Sequence, residues 1–460
     1  MQLPSDFIQQ TKPLLGEEWN AFLAALSSDA PTSIRLNKEK CKTVSHSLAD
    51  IVPWYSNAFY LQKRPQFTFD PLFHAGCYYV QEASSMFVAQ ALEQYVDDSV
   101  RVLDLCAAPG GKSTLIADIL SEDSLLVSNE VIRSRANILS ENITKWGKAN
   151  TIVVSNDPSQ IGKLENFFDV ILVDAPCSGE GMFRKDEGAV AEWSADNINL
   201  CKERQQRILA DIWSALKSGG LLMYSTCTYN ISENEENVQW IASELGAEVL
   251  PIDVKAEWNI ASSYIEGLPC YHFFPHRTKG EGFFFALLRK NGSEELSVRQ
   301  KKKKSKESKK KVDLDSQYKD YLKDSHLFTF YPQGDFWFAF PSFLFDDLQY
   351  LKDNLNIVSA GICVGETKGR DFIPNHSLAL SNYINKDSFI NCELDWKTAI
   401  SYLKKEPLLL DNLPKGYILL TYKTVPLGFV KNIGNRANNI YPQEWRIRSN
   451  NLPNEEVRVL

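Results

Sequence analysis

Two cysteines stand where a thiol could do chemistry. Cys177 follows the apolar run 169–173 and Cys227 follows 220–225, and both runs read as β-strands. In a doubly wound α/β sheet, ligands bind in the crevice outside the carboxyl ends of the strands. Two consecutive strands therefore bring both thiols to that crevice, with Asp174 in the same turn as Cys177. A lone cysteine more often serves as a small buried hydrophobe. That reading is kept for Cys41, Cys77, Cys201, Cys270, Cys363 and Cys392.

Methylation of cytosine at carbon 5 is a reaction that uses two thiols and a carboxylate. Carbon 5 is not nucleophilic until a thiolate adds to carbon 6, and an acid acting at N3 assists that addition. A base must then remove the carbon-5 proton so that the thiol can leave. A nucleophile, an acid and a helper in product release match Cys227, Asp174 and Cys177. The base must also leave its stack, so a flipped or single-stranded nucleotide is the expected substrate.

The chemistry needs a methyl donor beside the thiols. The stretch Asp104-Leu-Cys-Ala-Ala-Pro-Gly-Gly-Lys-Ser-Thr114 follows an apolar run and precedes a helical one. A strand, a glycine turn and a helix start present backbone N–H groups to a ligand. Gly111-Lys-Ser113 resembles the end of a phosphate loop, but the glycine which that motif needs is Cys106 here. The adjacent Gly110 and Gly111 do not fit G-x-G-x-x-G either. Glu130 ends the next strand, where such folds bind ribose hydroxyls, and Asp157 ends the third. Carboxylates thus recur at four successive strand ends.

These strands belong to an alternating β/α region, 96–290, with helices expected over 133–146, 197–216 and 233–245. Ser232-x-x-Glu235 has the capping-box pattern. The runs 271–274 and 282–288 read as an antiparallel hairpin that closes the sheet. Before this region, 7–26 reads as helix, and Arg35, Gln81 and Ser84 read as surface and capping residues. After it, 291–316 carries eight lysines between Lys301 and Lys311, a self-repelling linker. Residues 317–400 and 401–460 are rich in aromatics; 417–422 and 427–430 read as a hairpin with Pro426 in its connection. The final segment suits a small β-rich module that holds nucleic acid.

The chain has 460 residues, a net charge of −8 and nine cysteines with no C-x-x-C pair. A mild negative charge excludes a uniformly basic coat but leaves room for a local groove. Scattered, odd-numbered cysteines point to neither a disulfide framework nor a metal site, so no metal is expected. The N-terminus lacks the pattern of a signal peptide and no run is long enough to span a membrane. A cytoplasmic protein follows, with no membrane partner.

Three motifs carry a resemblance. Asp104 to Lys112, Asp174-Ala-Pro-Cys-Ser-Gly179 and Ser225-Thr-Cys-Thr-Tyr229 resemble the Sun/RsmF-type RNA 5-methylcytosine methyltransferases. Gly76 to Ser85 and Gly181-Met-Phe-Arg-Lys-Asp186 resemble the RsmF branch, which acts on small-subunit (16S) rRNA. The resemblance implies a Rossmann-like class I S-adenosylmethionine-dependent sheet over 96–290. It also implies an RNA-binding α+β extension over 1–95, a first C-terminal domain over 317–400 and a PUA-like module over 401–460. S-adenosylmethionine would be held by Cys106, Ala107, Ala108, Pro109, Gly110, Gly111 and Lys112, with Glu130 at the ribose and Asp157 at the adenine. Asp174 would lie between the methionine end and the target base, and Arg135 is a further candidate at the cofactor site. Cys227 becomes the nucleophile and Cys177 the residue that aids release, with Cys177 the rival nucleophile, as in DNA enzymes. The expected partner is RNA and not DNA, bound by a monomer. A transfer RNA substrate, or a non-catalytic RNA-binding assembly factor, is the alternative.

Overall fold

The computed structural model describes residues 3–41, 48–292, 313–410 and 412–460. The lysine run therefore lies outside the described residues. Its organising element is the parallel sheet β1 (Arg101–Asp104), β2 (Leu125–Asn129), β3 (Thr151–Val154), β4 (Phe168–Asp174) and β5 (Leu216–Thr226). Their order in space is β5-β4-β1-β2-β3, so the direction of winding reverses at β1 and β4. Side chains alternate between two cores, as the two-residue period of a strand requires. Leu103, Val127, Ile171, Val173 and Leu222 pack on one face, and Val102, Leu126, Val170, Leu172 and Met223 on the other. Helices Arg133–Trp146 and Ala195–Ile212 connect the strands near the expected positions.

The sheet grows at both edges. Beyond β5, β6 (Ala247–Leu250), β7 (Ala261–Ser262), β8 (Cys270–Phe273) and β9 (Phe283–Lys290) follow; β9 runs antiparallel to β5, and β6 and β8 to β9. This is the expected closing hairpin. At the other edge β10 (Ile357–Ala360) pairs antiparallel with β3. Part of the segment 317–400 thus completes the methyltransferase-like sheet. Leu344, Leu348, Leu351 and Leu355 beside it enter the same core as Ile152 and Val154. The strand Ile390–Glu393 likewise pairs in parallel with Gly416–Tyr422, so the last sheet draws on residues before 401.

Several local expectations are corrected. Residues 7–26 form two helices, Ser5–Leu15 and Trp19–Leu26, parted at Gly16, whose φ is +52°. The helix expected over 233–245 is Glu235–Trp240 followed by a wider turn of helix, Ile241–Gly246. Ser232 does not cap it: Asn234 is the N-cap residue, and Glu235 instead accepts from Tyr264 N and contacts His272. Pro426 lies inside the strand Val425–Asn432, because Lys423 and Thr424 make the turn at φ +48° and +66°. Cys77, Cys201 and Cys270 are buried as expected, while Cys41, Cys363 and Cys392 are only partly so.

Because Leu348 is fully buried in the sheet's core, Leu348→Ala is expected to lower stability by about 2–5 kcal/mol. Denaturant unfolding followed by tryptophan fluorescence should show the loss as a shift of one transition shared by the sheet and the C-terminal segment.

Candidate active site

The chain leaves β1 at Asp104, turns through 105–110 and enters the helix Gly111–Ile119. Gly110 has φ +115°, and a Cβ there would meet Leu139 Cδ1 at 3.2 Å and Asn142 Cβ at 3.4 Å. The left-handed conformation demands glycine, and a Cβ would press on the Leu139 side chain. The loop is pinned from several sides. Ala107 N donates to Asn129 O at 2.9 Å, Asn142 Nδ2 to Pro109 O at 2.8 Å, and Arg135 Nη2 to Ala108 O at 3.1 Å.

Arg35 braces the helix behind this loop. It is fully buried rather than a surface residue, and it donates to Gln81 Oε1, Thr114 Oγ1 and Asp118 Oδ2 at 3.0, 2.5 and 2.5 Å. Its guanidinium also lies 4.3 Å from the centre of the Trp146 ring. Gln81 and Ser84 are buried too, Ser84 Oγ donating to Glu281 O. The signal in the sequence was a lone cation amid the short strand Thr32–Leu36, all of which is buried.

Asp104 points its carboxyl into the interior. Ser113 Oγ donates to Oδ2 at 2.6 Å, while Oδ1 is buried without a partner. Burial raises this carboxyl from its ordinary 3.8 to about 7. An orphaned acceptor beside a glycine turn fits a ligand that carries N–H or O–H donors. Glu130 is nearly buried at the end of β2, where Oε1 accepts from Ile132 N at 3.0 Å and Oε2 meets Arg135 at 3.3 Å. Asp157 is exposed and caps the helix Pro158–Ile161; Ser159 N and Oγ both donate to its Oδ1, which holds the carboxyl below its ordinary range. Oδ1 of Asp157 is thus already engaged locally.

The residues expected to react lie at the ends of β4 and β5. Asp174 and Ser225 are opposite each other in parallel register, and Ser225 Oγ donates to Asp174 Oδ1 at 2.7 Å. Lys112 Nζ donates to Asp174 Oδ2 at 2.7 Å, which joins the glycine loop to the reactive strand ends. Burial opposes the Lys112 charge, but Asp174 beside it prevails and raises the ammonium's pKa. Sγ of Cys177 and Sγ of Cys227 are 3.1 Å apart, and Cys227 N donates to Cys177 Sγ at 3.3 Å. The neighbouring Cys227 sulfur and burial push the Cys177 thiol well above its ordinary value. The structure thus brings Cys177 and Cys227 into contact and joins Asp174 to the loop at Lys112. Lys112 reaches Asp174, a position its place in the loop motif did not indicate.

A doubly wound sheet with a glycine turn after its first strand and paired thiols at the next strand ends is the frame of a methyltransferase. Residues 89–289 match the family model of the 16S rRNA methyltransferase RsmB/F. Residues 3–83 match that of the N-terminal domain of 16S rRNA methyltransferase RsmF, and 389–447 that of the methyltransferase RsmF PUA domain. The ribosomal RNA small subunit methyltransferase F of Salmonella agona (strain SL483) is 31% identical, over 96% of each chain. The crystal structure of a methyltransferase homologue from Pyrococcus horikoshii is 29% identical with a TM-score of 0.53, covering 62% of this chain and 95% of that one. NSun6 from Pyrococcus horikoshii, solved with SFG, shares the fold at 21% identity and a TM-score of 0.54, covering 63% of this chain and 99% of that one. The chain belongs to the RsmB/F methyltransferase family, with the N-terminal and PUA domains of RsmF.

The Asp104 environment makes stability depend on pH. Unfolded, Asp104 ionises near 3.8; folded, it keeps its proton to about 7. Its contribution is therefore fully present in acid and is lost as pH rises through about 7. Asp104→Asn removes that loss, so denaturant titrations of the ligand-free protein should show the variant gaining on the wild type between about pH 4 and pH 7 and no further above that.

Proposed function

We propose that the chain methylates carbon 5 of a cytosine in small-subunit ribosomal RNA, through a covalent bond between Cys227 and carbon 6. The observation that carries this reading is the contact of the Cys177 and Cys227 sulfurs at 3.1 Å, at strand ends next to the Lys112–Asp174 pair. The RNA target is supported by the RsmF relatives and by the PUA segment. Among the described residues no helix is long and apolar enough to cross a membrane. A monomer acting in the cytoplasm fits this reading.

The cofactor is S-adenosylmethionine, which supplies an electrophilic methyl group when bound. The loop 106–112, Asp104 Oδ1 and Glu130 are the groups that would hold it, with Asp157 at the rim. On the RNA side the Cys227 thiolate adds to carbon 6, and the ring electrons move toward carbon 5. The Lys112–Asp174 pair supplies the hydrogen-bond donor that N3 needs as this happens. A Cys177 kept as a neutral thiol does not repel the attacking thiolate. As the bond from Cys227 to carbon 6 breaks, Cys177 gives its proton to the leaving Cys227 sulfur and takes up the carbon-5 proton in its place, so both thiols end neutral and the ring regains its double bond. This division of labour supports Cys227 as nucleophile and Cys177 as the residue that aids release.

The test is methyl transfer from labelled S-adenosylmethionine to small-subunit RNA by the purified chain. Cys227→Ala should abolish transfer while cofactor binding persists; retained turnover would make Cys177 the nucleophile. Cys177→Ala should accumulate an RNA–protein adduct that survives denaturing electrophoresis, and absence of an adduct on a methylated RNA would remove its release role.

A further inference from the structure

Two buried carboxylates outside the reactive set tie the cysteine loops together. Glu180 follows Cys177 in the first loop, yet its Oε2 accepts from Tyr229 N at 2.8 Å and Asn230 N at 3.1 Å, both in the loop of Cys227. Glu233 follows Cys227 in the second loop, yet its Oε2 accepts from Ser178 N at 3.0 Å, the residue after Cys177. Asn230 Nδ2 lies between them, 2.8 Å from Glu233 Oε1 and 3.3 Å from Glu180 Oε1. Trp193 Nε1 and Gln205 Nε2 complete the two sets, at 3.0 and 2.7 Å. Gly181 N adds a direct backbone bond to Cys227 O at 2.8 Å.

None of these donors carries a formal charge, and Glu180 and Glu233 are 1% and 0% exposed. Burying a carboxylate without a cation is costly, and a chain tolerates it only where many N–H groups converge. Burial pushes both carboxyls upward, and the surrounding donors pull the other way. Each loop is thus bonded, backbone to carboxylate, by a side chain from the other.

We propose that Glu180 and Glu233 are crossed positioning residues, each springing from one cysteine loop and clamping the backbone of the other, so that together they set the separation of the Cys177 and Cys227 thiols. This rests on the reading of the thiols as the reactive pair. A thiol displaced by about 1 Å loses reactivity by about 100-fold even when nothing that touches the substrate has changed. Glutamine keeps the shape of each clamp but replaces one acceptor oxygen with a donor, which faces the N–H groups it should bind.

The test reads the thiol geometry directly and turnover separately. Diamide accepts both thiol hydrogens and two electrons on its N=N bond, becoming a hydrazine as one S–S bond forms. In the ligand-free full chain the Cys177–Cys227 bond should close quickly in the wild type and about 100-fold more slowly in Glu180→Gln and Glu233→Gln, with kcat reduced alike. Binding of S-adenosylmethionine should be unchanged. Exposed Glu248→Gln serves as the control. Folded glutamine variants that close the bond and turn over like the wild type would overturn the proposal. Should they not fold, Asn230→Ser removes the amide shared by both carboxylates and should slow bond closure, and a wild-type rate would overturn it. If the wild type methylates no RNA, the assigned reaction fails, while the closure rates still decide whether the clamp exists.

Discussion

The parallel pairing of β4 with β5 is the constraint on which the site depends. With Asp174 opposite Ser225, the two chains leave the sheet side by side, and Ala175 N still donates to Ser225 O at 2.8 Å beyond the last pair. Neighbouring strands lie about 4.8 Å apart. Loops that start that close, three residues before Cys177 and two before Cys227, bring the sulfurs into contact with little further adjustment. Both faces of β4 and β5 are closely packed, so a slip by one residue would carry each side chain into the other core, whose shape it does not fit.

The charges around the site follow the same plan. Asp104, Glu130 and Asp174 line the strand ends, and Glu180 and Glu233 sit behind the thiols. Lys112 pairs with Asp174 and Arg135 with Glu130. Arg35 stays behind the glycine loop, where it holds Asp118, Thr114 and Gln81 in place. The N-terminal sheet, through Arg35, therefore supports the start of the helix after the glycine loop.

Much of this was legible in the chain alone, where local pattern and tertiary demand agreed. The helix 133–146, the order of strand ends and the closing hairpin follow from periodicity and turn residues, and all three are present. The thiol contact was legible as a consequence of consecutive strand ends. What stayed hidden depends on partners far along the chain. Arg35 looks like a surface cation until residues 81, 114 and 118 are seen around it. Ser232 and Glu235 have the spacing of a cap, but Glu235 is taken by His272 and Tyr264, so the helix starts without it. β10 lies in a segment separated from β3 by some two hundred residues, and a short strand carries no mark of the edge it will join.

The most direct measurement of the central claim is bisulfite sequencing of total RNA from cells with and without this gene. Loss of the methyl mark from one cytosine of small-subunit ribosomal RNA is the predicted result. A mark lost from transfer RNA instead would contradict the assigned substrate while keeping the chemistry, and an unchanged pattern in all RNA would contradict the claim that the paired thiols methylate cytosine.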